Sequence, residues 1–335
     1  MARIALLTGG STSEREVALA GAAQVVGALR GLGHDVVVVD TVRGPVRGDA
    51  ERALLEAPVR REPPTPEELA RLAAREDLPA LVGSAEMRGA DLVFLVLHGL
   101  QGEGGSVQAL LELGRLRYTG SSVLGSSIAM DKEISKRLLR EAGLPTSRWC
   151  MWPATPEEIA ALGLPLIVKP ANGGSTVGLS VVHSPEEVAP AVELALREDR
   201  SVMLETFLPG REFTVGVLGE RALAVGEIVP QHEIFDYECK YTPGMTEEIF
   251  PAAIPDALAG RMQELALATH RLLKLRDFSR VDFRLDAGGE PHVLEANTLP
   301  GMTATSLLPQ SAAATGLTFG GLCAEICRLS LARTA

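Results

Sequence analysis

Near the C-terminus three oxygen-bearing side chains, Asp282, Glu295 and Asn297, stand close together with Arg280 beside them. Val281, Phe283 and Leu285 alternate with Arg280, Asp282 and Arg284, the period of two that marks a half-buried strand. Asp286-Ala287-Gly288-Gly289 supplies a turn, and a second strand covers 293–297. Closing the hairpin at Ala287-Gly288 predicts Asp282 opposite Val293 and Arg280 opposite Glu295. One face then carries Val281, Phe283, Leu285, Leu294 and Ala296 inward, and the other gathers Arg280, Asp282, Glu295 and Asn297. Oxygen donors on one rigid surface suit a hard octahedral cation that takes its remaining ligands from water and substrate phosphates. A solvated sheet face with an Arg280–Glu295 cross-strand pair fits the same residues.

Other candidates sit at the ends of predicted strands. Residues 4–7 and 36–39 read as buried strands flanking a helix that runs to Leu29, with Ser13 and Glu16 spaced as a capping box. This β-α-β unit opens a doubly wound parallel sheet. The turn before the helix, Thr8-Gly9-Gly10-Ser11, offers free N–H groups to an anion. It carries Glu14, which serves equally as a ligand or as a first-turn residue favourable to the helix dipole. The turn lacks G-x-G-x-x-G, so a dinucleotide site is disfavoured despite Asp40 after the second strand. Residues 91–97 form another buried strand, with His98 at the C-terminal end where open α/β sheets place ligands; a structural histidine fits that position as well.

Past residue 121 the pattern changes. Met130-Asp131-Lys132 opens a helix that Gly143 ends, and a strand ending in Lys169 leads into Pro170-Ala171-Asn172-Gly173-Gly174-Ser175-Thr176-Val177-Gly178. Such a loop can fold over phosphates, although no Walker A pattern is present and flexible hairpin loops look similar. Strands at 202–206, 213–217 and 222–228 follow, and the unperiodic segment 235–244 reads as a lid. Helices are predicted over 66–75, 256–273 and 317–331. The Pro-, Arg- and Glu-rich stretch 43–89 gives no functional signal.

The 335 residues suggest two or three domains, and 46% hydrophobic with 22% charged residues is ordinary for a soluble enzyme. A net charge of −11 argues against nucleic acid or an anionic membrane as partner. Cys150, Cys239, Cys323 and Cys327 form no zinc spacing, so free thiols in a reducing compartment are expected. With no apolar run near ~20 residues and no leader-like start, the chain reads as cytoplasmic.

Seven segments, in order, resemble the D-alanine–D-alanine ligases of the ATP-grasp superfamily: G-G-S-T-S-E-R-E-V (9–17), H-G-L-Q-G-E-G-G-S-V-Q (98–108), M-D-K (130–132), V-K-P-A-N-G-G-S-T-V-G (168–178), F-D-Y-E-C-K-Y (235–241), R-V-D-F (280–283) and E-A-N-T-L-P-G-M-T (295–303). The resemblance implies an α/β ATP-grasp fold. Its units would be an N-terminal Rossmann-like substrate domain (1–120), a central ATP-grasp subdomain (121–205), and a C-terminal one bearing lid and metal hairpin (206–335).

By the same resemblance, Asp282, Glu295 and Asn297 would hold two Mg²⁺ ions, for which Mn²⁺ can substitute, on the phosphates of ATP. Lys132, Lys169 and the loop at Gly173, Gly174 and Ser175 would grip those phosphates. Glu205 and Leu208 would contact the nucleotide base and Glu212 its ribose, with Lys240 among the nucleotide-binding residues. Glu14 would bind the ammonium of the first D-alanine with His98 nearby, and Ser306 and Leu307 the second substrate. Arg280 and the N–H of Gly301 would form an oxyanion site. Tyr241, bonded to Ser175, would close the lid and favour an amine nucleophile over D-lactate. D-Alanine and ATP are the implied substrates, a D-alanyl phosphate the intermediate and a homodimer the assembly; a ligase using D-serine or D-lactate second is the alternative. Two departures stand out: Ala18 replaces a serine common in the family, and 43–89 is longer than in short members.

Overall fold

The computed structural model describes every residue except 61–63, 175, 236–238, 240, 241, 243, 334 and 335. Three sheets carry the chain. The first has the order β3-β2-β1-β4 (Gly44–Val46, Asp35–Asp40, Arg3–Thr8, Leu92–Val96). β2, β1 and β4 run parallel, while β3 pairs antiparallel at the edge. Their interiors are unbroken apolar runs such as Leu-Val-Phe-Leu-Val, because both faces are covered. The Arg15–Gly31 helix packs on this sheet, and so does the last helix, Phe319–Ala332, which inserts Leu322, Cys323, Ile326 and Cys327 into the same core.

The second sheet, β5-β8-β6-β7 (Trp149–Met151, Val202–Thr206, Leu166–Pro170, Ser180–Val182), is antiparallel throughout. The third has the order β11-β10-β9-β12-β13 (Thr246–Ile249, Arg221–Pro230, Glu212–Leu218, Phe278–Leu285, Pro291–Asn297). Its inner face meets the Asp256–Leu272 helix through Phe213, Val215, Val281, Phe283 and Val293 against Met262, Leu265 and Ala266.

The hairpin exists where the alternation places it, but its register differs. Arg280 faces Asn297 and Asp282 faces Glu295, and a bulge then brings Phe283 opposite Val293. The extra residue lets Val293 and Ala296 both enter the core, so Leu294 and Glu295 both turn outward. The predicted inward Leu294 and the Arg280–Glu295 pairing are thereby corrected. A two-residue turn counted back along unbroken strands has no means of registering a bulge.

The first helix also begins differently. Its N-cap is Glu14, without a side-chain cap, and no Ser13/Glu16 box forms. Glu16 instead accepts from the backbone N and Nε of Arg60, at 2.6 and 2.5 Å, in the 43–89 stretch. The helix start is secured by Arg15, whose guanidinium reaches buried Asp40 and the carbonyl of Gly10. Gly9 is required there: its φ is 100°, and a β-carbon would come within 2.6 Å of Arg15 and Asp40. Asp40 is therefore fully used in folding the turn.

Candidate active site

A cavity of about 630 Å³ opens where the three sheets meet. Into it project Glu14, Lys132, Lys169, Gly173, Gly174, Glu205, Leu208, Glu212, Arg280, Asp282 and Glu295, residues drawn from segments far apart in the sequence. Its size suits a nucleotide with a small second ligand.

The hairpin wall holds a dense polar cluster. Asp282 accepts from Arg280 Nε (2.9 Å) and Nη2 (2.8 Å), Asn297 Nδ2 (3.0 Å) and Thr214 Oγ1 (2.7 Å). Glu295 pairs with Lys132 at 3.2 Å, and Lys132 also donates to the carbonyl of Gly173 at 2.8 Å. Burial works against the Arg280 cation, but Asp282, Glu295 and Glu103 outweigh it and hold its pKa above the ordinary guanidinium value. Lys132 stands at the mouth of this wall because Asp131 caps its helix, accepting from Ile134 N at 3.0 Å.

Among the described residues no three His, Cys, Asp or Glu side chains are disposed together as a metal site. Asp282 and Glu295 lie directly opposite each other, and the Asn297 amide reaches Asp282. Two carboxylates on the cavity wall, with the Asn297 amide bonded to one of them, form a donor set that fits a hard cation completing its shell from phosphate oxygens.

A second charged cluster lies on β6 and β8. Glu205 is buried, receives Lys169, pairs with Lys136 at 3.0 Å, and accepts from Ser147 Oγ at 2.9 Å. Burial alone would raise the Glu205 pKa; the two ammonium groups outweigh it and hold the carboxyl well below the usual carboxylate range. Lys136 was missed in the sequence. Its signal was a lysine on the inner stripe of a helix, one turn after Lys132 and three residues before buried Leu139. Also lining the cavity, Glu212 lies 3.8 Å from Arg284, whose guanidinium stacks 4.6 Å over Phe207.

At the far end of the cavity, Glu14 looks across at two glycines. A β-carbon on Gly99 or on Gly174 would lie 3.6 Å from its Oε2, so both backbones approach the carboxylate closely. His98 is buried behind this point, and its Nε2 has no hydrogen-bond partner among the described residues. Burial lowers its pKa, opposed by Glu14. Glu103, also missed, accepts from Gly99 N (3.2 Å) and Leu299 N (3.1 Å); desolvation and the charge of Glu14 push its pKa up to about 8.

Gly301, Ser306 and Leu307 are not part of the cavity lining. A β-carbon on Gly301 would meet Ser306 Oγ at 2.7 Å, and that hydroxyl also accepts from Thr303 N at 3.1 Å. Ser175, Lys240 and Tyr241, with most of the lid, lie outside the described residues. On either side of them Thr176 Oγ1 donates to the carbonyl of Phe235 at 3.0 Å, joining the glycine-rich loop to the lid's first residue.

A mainly parallel first sheet, two antiparallel sheets and a cleft walled by a glycine-rich loop and an acidic hairpin have the architecture of the ATP-grasp ligases. Comparison narrows the class. Residues 3–121 match the family described as "D-ala D-ala ligase N-terminus" and 138–328 match "D-ala D-ala ligase C-terminus". A D-alanine–D-alanine ligase of Moorella thermoacetica is 41% identical over 98% of this chain and 99% of its own, and one of Desulfotalea psychrophila is 40% identical over 99% and 96%. The crystal structure of the Bacillus anthracis D-alanine–D-alanine ligase superposes with a TM-score of 0.76 at 31% identity, covering 99% and 98% of the two chains. That of the VanG D-Ala:D-Ser ligase from Enterococcus faecalis gives 0.81 at 29%, covering 98% and 99%. The chain belongs to the D-alanine–D-alanine ligase family.

Proposed function

We propose that this protein joins two D-alanines to D-alanyl-D-alanine with hydrolysis of ATP to ADP, supplying a precursor for peptidoglycan. The observation that carries the reading is the convergence, in one cavity, of the Glu14 carboxylate, two lysines, an arginine and an acidic hairpin. Full-length relatives at about 40% identity bear the matching name, and one solved relative was crystallised with ATP.

Glu14 holds the ammonium of the first D-alanine, with His98 behind it. Lys132, Lys169 and the loop from Gly173 through Ser175 take the triphosphate. Glu205 and Leu208 form the base site, Glu212 the ribose site, and Lys240 binds the nucleotide from the lid segment. Asp282, Glu295 and Asn297 hold divalent magnesium, two ions in the full complex, with manganese as substitute; bound there, the metal neutralises developing phosphate charge. The first carboxylate attacks the γ-phosphate, ADP leaves, and an acyl phosphate results; positioning and charge neutralisation dominate such transfers. The amine of the second D-alanine, set by Ser306 and Leu307, then attacks the acyl carbon. Arg280 and the Gly301 N–H stabilise the tetrahedral oxyanion as phosphate departs. The lid, with Tyr241 and Ser175, excludes water that would hydrolyse the acyl phosphate.

The likeness to a D-Ala:D-Ser ligase favours one second reading, a serine nucleophile. The three predicted units (1–120, 121–205, 206–335), a homodimer and a cytoplasmic setting belong to this proposal; no described helix is long and apolar enough to cross a membrane. The test is ADP release, measured with D-alanine, D-serine and D-lactate, with and without Mg²⁺. Release that depends on D-alanine and the metal supports the reading. Release indifferent to D-alanine would sink it.

A further inference from the structure

The 43–89 stretch, silent in the sequence, supplies one carboxylate that touches all three parallel strand ends. Glu76 follows the Pro66–Ala73 helix, where its backbone N bonds to Ala73 O, and Asp77 immediately caps the next helix. The chain is thus fixed on both sides of Glu76. Its Oε2 accepts from Ser11 Oγ (2.8 Å) and Gln101 Nε2 (2.7 Å), and its Oε1 accepts from Thr41 Oγ1 (2.6 Å). Ser11 follows β1, Thr41 follows β2, and Gln101 lies just past β4.

Two of these partners also bond back to the first turn. Thr41 Oγ1 accepts from Gly10 N at 2.8 Å, and Gln101 Oε1 accepts from Ser11 N at 3.3 Å. Two segments are thereby locked together: the turn leading to Glu14, and the turn carrying His98 and Gly99. The turn at Gly9 and Gly10 has positive φ at both residues and no regular ladder beyond β1 to hold it. Its placement depends on side-chain anchors: Arg15–Asp40 beneath, and the Glu76 group above. An ionised carboxylate is the one side chain that accepts from three donors at once without donating in return.

We propose that Glu76 is a positioning residue for the first amino-acid site: it fixes Glu14 relative to His98 and Gly99, and it touches no substrate itself. This rests on the ligase reading, in which Glu14 grips the first ammonium. The network lies on the amino-acid side of the cleft, away from the lysines, so its loss weakens the first D-alanine site and spares the nucleotide.

The experiment measures initial rates of ADP release against D-alanine and against ATP, for wild type, Glu76→Ala, Glu76→Gln and Gln101→Ala. Glu76→Ala is expected to raise the KM for the first D-alanine about tenfold, with the KM for ATP and kcat within about threefold of wild type. Glu76→Gln keeps an oxygen for Ser11 and Gln101 but turns an N–H on the Thr41 hydroxyl, so it brings the KM only partway back. Gln101→Ala removes two of the bonds and raises the same KM, and it carries the test should Glu76→Ala not fold. A purely structural role would lower Tm without moving the first D-alanine KM. That result, in an active enzyme, overturns the proposal and leaves the ligase reading standing; a wild type whose ADP release ignores D-alanine overturns both.

Discussion

Two charged clusters face each other across one cleft and are built on opposite plans. Around Glu205, two lysines and a hydroxyl enclose a single buried carboxylate, so Lys136 and Ser147 still hold it when Lys169 turns to a ligand. Around Asp282 and Glu295, each carboxylate is matched by a cation that reaches in from the side, Arg280 at 2.8 Å and Lys132 at 3.2 Å. Glu295 keeps 30% of its side chain exposed, against 5% for Glu205. The first cluster is a fixed wall. The second is a set of more exposed charges free to exchange partners, as the proposed metal and triphosphate site requires.

If the plans differ in this way, substitutions should separate rate from stability. The largest effect is expected for Glu295→Gln, which keeps size and removes one metal-side charge. Turnover should fall on the order of 10³-fold or more while Tm stays within a few degrees. A variant turning over at the wild-type rate would refute the role of Glu295. Next comes Lys136→Met on the fixed wall. Removing one partner of a buried charge typically costs about 3–5 kcal/mol, so urea unfolding should show a loss of that order. An unchanged midpoint would mean that Lys169 alone satisfies Glu205.

Acid sharpens the same contrast. The folded pKa of Glu205 lies below its ordinary 4.5, so its contribution to stability is fully present above that value and is lost as pH falls below it. Wild type should therefore show a steeper loss of unfolding free energy between about pH 4.5 and 3 than Glu205→Gln does. Parallel acid limbs in the two proteins would place the charge-stabilised wall elsewhere.

Which of these features could be read from residues alone follows from their physics. The strands of the first sheet were legible because buried parallel strands are continuous apolar runs, and Asp131 announced its helix as an N-cap. The acidic hairpin was legible through alternation and motif. The Glu205 group was only half visible, because Lys136 belongs to it by helix face and its partner is 69 residues away. Glu103 and Glu76 were invisible: each acts by bonding to turns distant in sequence, and a carboxylate in a helical or Glu-rich stretch looks like solvent-facing charge. The Ser13/Glu16 box failed because a competing partner, Arg60, came from the stretch that had seemed uninformative.

The smallest effects test the hairpin bulge, on which the geometry of the exchangeable cluster depends. With an unbroken ladder, Leu294 would face the core and Val293 the cleft; the bulge reverses them. Val293 is fully buried between β12 and the Asp256–Leu272 helix, whereas Leu294 lines the cavity beside Glu295. Val293→Ala should therefore cost roughly 1–3 kcal/mol of stability and leave the KM for ATP unchanged. Leu294→Ala removes no core contact, so it should leave the unfolding midpoint nearly fixed and raise the KM for ATP a few-fold, by about the 1 kcal/mol that partial burial of a leucine against a ligand contributes. The reverse assignment, with Leu294→Ala destabilising and Val293→Ala kinetic, would mean that the ladder runs unbroken. Asp282 and Glu295 would then no longer stand opposite each other.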